Sequence, residues 1–121
     1  MKEIKAFIHK DRISEVVAAL NASGCRSSDE RTGCRSINVA AVQSLTSPAE
    51  GEEQHYSMEL AETVVREWKL ELFCEDEQTD QLVKVIAQAA SIGRGIAGWI
   101  FVTEVVSSIP ILGPSKYGPP N

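Results

Sequence analysis

The chain has 121 residues, of which 43% are hydrophobic and 24% are charged, and its formal net charge is −5. This length suits one domain with a single core, this composition excludes a disordered or fibrous chain, and the acidic balance disfavours nucleic acid or an anionic membrane as main partner. No apolar run approaches the length of a membrane span, and the first residues are charged. We therefore expect a cytoplasmic protein without a signal peptide or membrane insertion.

The first part of the chain predicts a strand, a helix and a second strand. Residues 2–8 alternate apolar with mostly charged side chains, which is typical of a half-buried strand. Asp11 is expected to cap a helix with one apolar face, and Gly24 is expected to end that helix in a left-handed conformation. Residues 36–45 carry the second strand pattern.

Cys25 and Cys34 lie in a polar connection, residues 25–35, that also contains three arginines. Because neighbouring cations favour the thiolate, one interpretation is a redox pair, and the other is two reduced thiols in a surface loop. Cys74 ends an apolar strand pattern, which predicts a small buried residue. The odd number of cysteines excludes a complete disulfide framework.

Residues 46–57 read TSPAEGEEQHYS and contain almost no side chain that could stabilise an ordered structure. This pattern predicts a long mobile loop. Loops of this length in compact domains are often lids or binding loops, and the alternative is an insertion without a role. Residues 58–66 fit neither a helical nor a strand period.

The second half of the chain repeats the order of the first. Residues 68–74 alternate as a third strand, and Asp76 begins a polar turn that is expected to cap a second amphipathic helix. Residues 99–106 form a fourth strand pattern. Residues 110–121 are rich in proline and glycine, which excludes regular secondary structure there.

A glycine-rich turn lies between the second helix and the fourth strand. Gly93, Gly95 and Gly98 can adopt conformations closed to other residues, which lets a ligand approach main-chain N–H groups, and Arg94 lies among them. One interpretation is therefore a ligand-binding turn. The other is a flexible connection that binds nothing.

The order β-α-β-loop-β-α-β predicts an α+β fold of the ferredoxin-like kind, with a four-stranded antiparallel sheet and two helices on one face. Several strands, the fourth above all, are apolar on both sides. We therefore expect the helix-free face to be buried as well, most simply against copies of the same chain.

Four stretches of the chain resemble the PII signal-transduction family, whose members are cytoplasmic homotrimers of ferredoxin-like subunits. They are MKEIKAFIHKDRISEVVAAL, SINVAAVQSL, KLELFCEDEQTDQLVKVIAQAA and GRGIAGWIFVTEV, and they cover most of residues 1–106, leaving residues 107–121 as a tail. The resemblance implies that residues 46–57 are the T-loop, which engages partner proteins. It also implies that residues 93–99 are the B-loop, which helps to hold an adenine nucleotide between subunits.

The chain departs from the family where the phosphates would bind. The family's B-loop is close to TGKIGDGKIFV, whereas this chain has IGRGIAGWIFV, with Ala97 in place of the aspartate and Trp99 in place of the second lysine. Arg94 keeps a cation, but the family's arginines are absent at Ser47 and near the tail. Because each charge-assisted hydrogen bond contributes roughly 1.5–3 kcal/mol, we expect ADP or AMP to be preferred over ATP.

The resemblance is greatest to the carboxysome-associated PII-like branch, which implies bicarbonate as a second ligand and an inorganic-carbon transporter in the membrane as a partner of the loop. Arg66 and Arg94 are the candidate bicarbonate contacts. No cofactor and no metal are implied. The nucleotide-binding residues expected from the resemblance are Asn38, Ser44, Thr46, Phe73, Gly93, Arg94, Gly95, Ile96, Ala97, Gly98 and Trp99.

No catalytic constellation accompanies the two histidines, His9 and His55, so the leading hypothesis is a sensor and not an enzyme. The alternatives are a small trimeric ferredoxin-like enzyme or metal-tolerance protein, and a trimeric scaffold without a ligand.

Overall fold

A computed structural model describes residues 1–25, 34–45 and 53–113. Thr46, most of the predicted loop at residues 46–57 and the end of the predicted tail therefore lie outside the described residues. In chain order the elements are β1 (Lys2–His9), α1 (Ile13–Ala22), β2 (Arg35–Ser44), β3 (Gln54–Ser57), β4 (Glu62–Cys74), α2 (Asp76–Ala90) and β5 (Trp99–Glu104).

The strands form one antiparallel sheet in the order β2-β4-β1-β5, and β3 also pairs with β4. The fold is thus α+β, with a five-stranded sheet and two helices, and it is compatible with the ferredoxin-like prediction. The prediction of four strands was wrong by one, since Gln54–Ser57 lies in the predicted loop but forms a strand. The third predicted strand is also longer than expected, because β4 includes the ambiguous residues from Glu62 onward.

The hairpin between β3 and β4 explains why the local sequence failed to predict the extra strand β3 and the greater length of β4. Gln54 pairs with Val65 and Ser57 pairs with Glu62, so the polar residues of β3 are ordered by backbone hydrogen bonds to a neighbouring strand. The Ser57 hydroxyl accepts a hydrogen bond from the Leu60 N–H at 3.2 Å and braces the turn. None of these hydrogen bonds requires apolar residues at regular spacing, so the sequence pattern gave no sign of them.

The core lies between the helices and one face of the sheet, as the alternating patterns predict. Central strands and helices contribute side chains that are almost wholly buried. They include Ile4, Ala6, Ile8, Val16, Leu20, Leu70, Leu72, Cys74, Leu82 and Ile86.

The start of α1 differs from the prediction. Arg12, not Asp11, is the N-cap residue, and it makes no side-chain capping bond. The Arg12 guanidinium instead donates two hydrogen bonds, of 3.0 and 2.8 Å, to the Ala89 carbonyl near the end of α2. A cation is favourable there because the last carbonyls of a helix carry negative partial charge. Gly24 follows α1 with φ +84°, as predicted.

Asp76 does not cap α2 but is its first residue, after the N-cap Glu75. Its carboxylate lies 2.8 Å from the Met1 amino group and 3.9 Å from Lys2 Nζ. The hydrogen bond from that amino group lowers the pKa of the Asp76 carboxyl below its usual value. A negative charge at the N-terminus of a helix also interacts favourably with the positive end of the helix dipole.

The helix-free face is less apolar than expected. Lys69 Nζ lies 3.2 Å from Glu71 on the central strand β4, so charged pairs occupy the middle of this face. Apolar side chains gather at the β5 edge, where Trp99 is 61% and Phe101 is 51% exposed. The Phe101 ring packs edge-to-face against Phe7 with centroids 6.1 Å apart. On the helix-free face of the sheet, the exposed aromatic surface that a partner could cover therefore lies along β5.

Candidate functional site

The glycine turn leaves the end of α2 and leads into β5. Gly93 and Gly95 have φ values of +98° and +67°, which side-chain-bearing residues rarely adopt. A Cβ atom added at either position would meet no other atom within 4 Å. The Gly93 N–H donates to Ser91 Oγ at 3.2 Å. Glycine is thus required by the backbone conformation at these two positions, while the space above them is open to a ligand.

Gly98 has a different role. Its Cβ, if present, would overlap the main-chain carbonyl oxygen of Phe7 and lie 3.3 Å from the carbonyl carbon. The next residue, Trp99, is paired with Phe7 in the β1–β5 ladder. Gly98 is therefore needed so that the start of β5 can approach β1, and its absence of a side chain does not open space for a ligand.

A depression of about 270 Å³ lies between the glycine turn and the end of α2. Ile86 and Ala90 form its α2 side, and residues 95–100, including Ile96, Ala97 and Trp99, form the other. It is smaller than the 300–1,000 Å³ typical of a complete ligand site. One chain therefore offers an apolar partial pocket, bordered by an aromatic ring and an open backbone.

The other residues expected to bind nucleotide lie elsewhere in the same chain. Asn38 and Ser44 are on β2, which β4 and β1 separate from β5 by three strand spacings, or about 14 Å. The Asn38 amide donates to the Ser36 carbonyl at 3.0 Å. Phe73 is opposite Glu3, at the far end of β1 from the glycine turn. A single chain does not bring these residues together with the glycine turn.

A larger groove, of about 550 Å³, lies where β2 and β3 flank β4. It contains Arg66, one of the two bicarbonate candidates, together with Lys10 and His55. The Glu53 carboxylate lies 3.2 Å from Lys10 Nζ and 3.7 Å from His55 Nε2, so it offsets part of the positive charge beside Arg66.

The sequence did not predict this groove, because part of its wall is β3 and the turn that follows it. Tyr56 belongs to the residues predicted to form a mobile loop, whereas Trp68 is at the start of the predicted third strand. The other bicarbonate candidate, Arg94, is in the glycine turn before β5, whereas Arg66 is on β4, and β1 lies between these two strands. Within one chain, Arg66 thus lies in the groove and Arg94 lies in the glycine turn.

Cys25 and Cys34 are joined by a disulfide, with Cα atoms 4.9 Å apart. Of the two interpretations of these cysteines, the structure contains the bridged form. Cys74 is free and buried, with Sγ 3.5 Å from Thr79 Oγ1. Burial raises the pKa of the Cys74 thiol, so it is protonated and unreactive near neutral pH.

Within residues 1–25, 34–45 and 53–113, no helix is long and apolar enough to cross a membrane. The same residues contain no group of three or more histidine, cysteine or acidic side chains placed to hold a metal ion. Compared with known proteins, the sequence matches no family model and is not significantly similar to any curated protein.

Proposed function

We propose that this chain is a subunit of a cytoplasmic, homotrimeric sensor of the PII-like kind, with ferredoxin-like subunits that bind adenine nucleotide without consuming it. The observation that carries the proposal is the open glycine turn. Gly93 and Gly95 both have a positive φ, which glycine adopts readily, and the space beside each is open. Turns of this kind, without side chains, let an anionic ligand approach main-chain N–H groups.

The separation of the expected nucleotide residues supports a site between subunits. The glycine turn and Trp99 lie at the β5 edge, and Asn38 lies at the β2 edge. In a closed ring of identical subunits, one edge of each subunit can meet the opposite edge of the next. The exposed Trp99 and Phe101 supply apolar surface for such a contact.

The charges of the turn support a short phosphate chain. Arg94 is its one cationic side chain, and Ala97 and Trp99 are neutral where the PII family carries charge. We therefore propose that ADP or AMP is the preferred nucleotide. Bicarbonate is the proposed second ligand, with Arg66 and Arg94 contributed by different subunits. Residues 46–57 would carry the signal to a protein partner such as an inorganic-carbon transporter.

Replacing Gly95 by alanine tests whether the turn binds nucleotide. The change adds strain at a positive φ, which costs about 1–2 kcal/mol, and places a methyl group where main-chain groups would meet phosphate. We expect titration calorimetry to show at least a tenfold loss of ADP affinity.

Gly24→Ala is the matched control, because Gly24 also has a positive φ and open space but follows α1, away from the turn. This variant should lose similar stability and keep its ADP affinity. Equal ADP affinity of the two variants would contradict the proposed site. Turnover of the nucleotide, or stabilisation by a divalent metal alone, would instead favour the enzyme or metal-tolerance alternative.

A further inference from the structure

The disulfide ties the end of α1 to the start of β2 through two cysteines with different surroundings. Cys25 is 2% exposed and belongs to the hydrophobic core, and its N–H donates to the Leu20 carbonyl at 3.2 Å. Cys34 is only partly buried, and its N–H donates to the Cys25 carbonyl at 2.6 Å. Cys34 is therefore the more exposed residue of the bridge, although it also packs against the core.

The start of β2 is irregular, so the disulfide anchors residues that are only weakly paired with the rest of the sheet. The β2–β4 register shifts between Arg35 and Asn38, and Ser36 has a φ of +51°, unusual for a residue other than glycine. The Arg35 guanidinium lies 3.2 Å from the Glu75 carboxylate, and both side chains are well exposed. Surface ion pairs of this kind add little stability. The disulfide is thus the strongest link between this stretch and the core.

We propose that Cys34 is a thiol-exchange site, at which a dithiol reductant opens the Cys25–Cys34 bridge and releases the first residues of β2 from the sheet. Because rates of thiol exchange depend on access to the attacked sulfur, attack falls on Cys34 Sγ and not on the enclosed Cys25 Sγ. Cys25 then stays in the core as a small apolar residue.

The exchange proceeds in two balanced steps. One thiolate of the reductant bonds to Cys34 Sγ, the Cys25–Cys34 bond breaks, and Cys25 leaves as a thiolate that takes up a proton. The second thiol of the reductant, as a thiolate, then attacks the reductant sulfur that is bonded to Cys34 Sγ. The bond between them breaks, and Cys34 leaves as a thiolate that is protonated in turn. Two electrons and two protons pass from the dithiol, which becomes a cyclic or protein disulfide.

The site of attack is tested with Cys25→Ala and Cys34→Ala, each mixed with glutathione disulfide and followed by intact mass. The thiol of Cys34 in the first variant should form a mixed disulfide at least ten times faster than the thiol of Cys25 in the second. Cys74, present in both, should not react on this timescale. Equal rates, or faster reaction at Cys25, would overturn the assignment.

The release of β2 is tested on the unmodified chain, which avoids reliance on variants that fail to fold. Hydrogen exchange is compared before and after treatment with dithiothreitol. Amides of residues 34–38 should exchange at least tenfold faster in the reduced protein, while β1 and the paired part of β4 keep their protection. Unchanged exchange at residues 34–38, or loss of protection throughout β1 and β4, would show a purely structural bridge and overturn the proposal.

Discussion

Replacing Gly98 by alanine is expected to lower the free energy of unfolding by about 3 kcal/mol, the upper end of the usual cost of inserting a methyl group into a packed site. The added Cβ would overlap the Phe7 carbonyl oxygen, which is main chain and cannot turn aside. The start of β5 must therefore move away from β1, which weakens the pairing of Trp99 with Phe7. Denaturant unfolding at a fixed protein concentration measures the loss.

Gly95→Ala is the internal comparison for this prediction. It has the same chemistry in the same turn, but its Cβ meets open space, so it should cost only about 1–2 kcal/mol from backbone strain. Equal losses for the two variants would mean that the close approach of Gly98 to β1 is not a constraint on the fold. The pair also separates the structural glycine of the turn from one proposed to face ligand.

Replacing Phe101 by aspartate is expected to convert the proposed trimer into monomers. Phe101 is half exposed on the edge strand β5, so a single folded chain tolerates a polar side chain there at the cost of its contact with Phe7. That contact is worth roughly 0.5–1.5 kcal/mol. Between subunits, however, the new carboxylate would be buried without a partner, and this penalty is far larger. Sedimentation analysis distinguishes the two states.

Gln88→Asp serves as the control for added charge, since Gln88 is exposed on α2, on the opposite side of the sheet from the Phe101 ring. This variant should remain trimeric. Trimers of Phe101→Asp, or a monomeric parent protein, would rule out the β5 edge as the subunit contact.

Elements with a strong local period were predictable from the sequence. The strands β1, β2 and β5 and both helices appear where alternation or helical spacing placed them, with ends shifted by a few residues. Interactions between distant residues were not predictable. Gln54–Ser57 is a strand only because β4 pairs with it, and Asp11 fails as a cap while Arg12 contacts Ala89 from the other helix.

The candidate site divides in the same way. The glycine turn is contiguous in the sequence, so its place at the end of α2 followed from the pattern alone. The distinct role of Gly98 depends on how closely β5 approaches β1, and the Cys25–Cys34 pairing depends on how α1 meets β2. The groove around Arg66 depends on β3. Local sequence periodicity determines none of these distances. The proposed contact between the β2 edge and the β5 edge also requires a second subunit.

The central claim, an adenine nucleotide site that favours a short phosphate chain, is tested most directly by calorimetry with ADP, AMP and ATP, each with and without bicarbonate. The account predicts saturable binding of ADP or AMP that is tighter than binding of ATP. It also predicts that bicarbonate changes the nucleotide affinity, because both ligands are proposed to contact Arg94. The nucleotide should then change the bicarbonate affinity by the same factor. Tenfold tighter binding of ATP, or no binding of any of the three nucleotides, would contradict it.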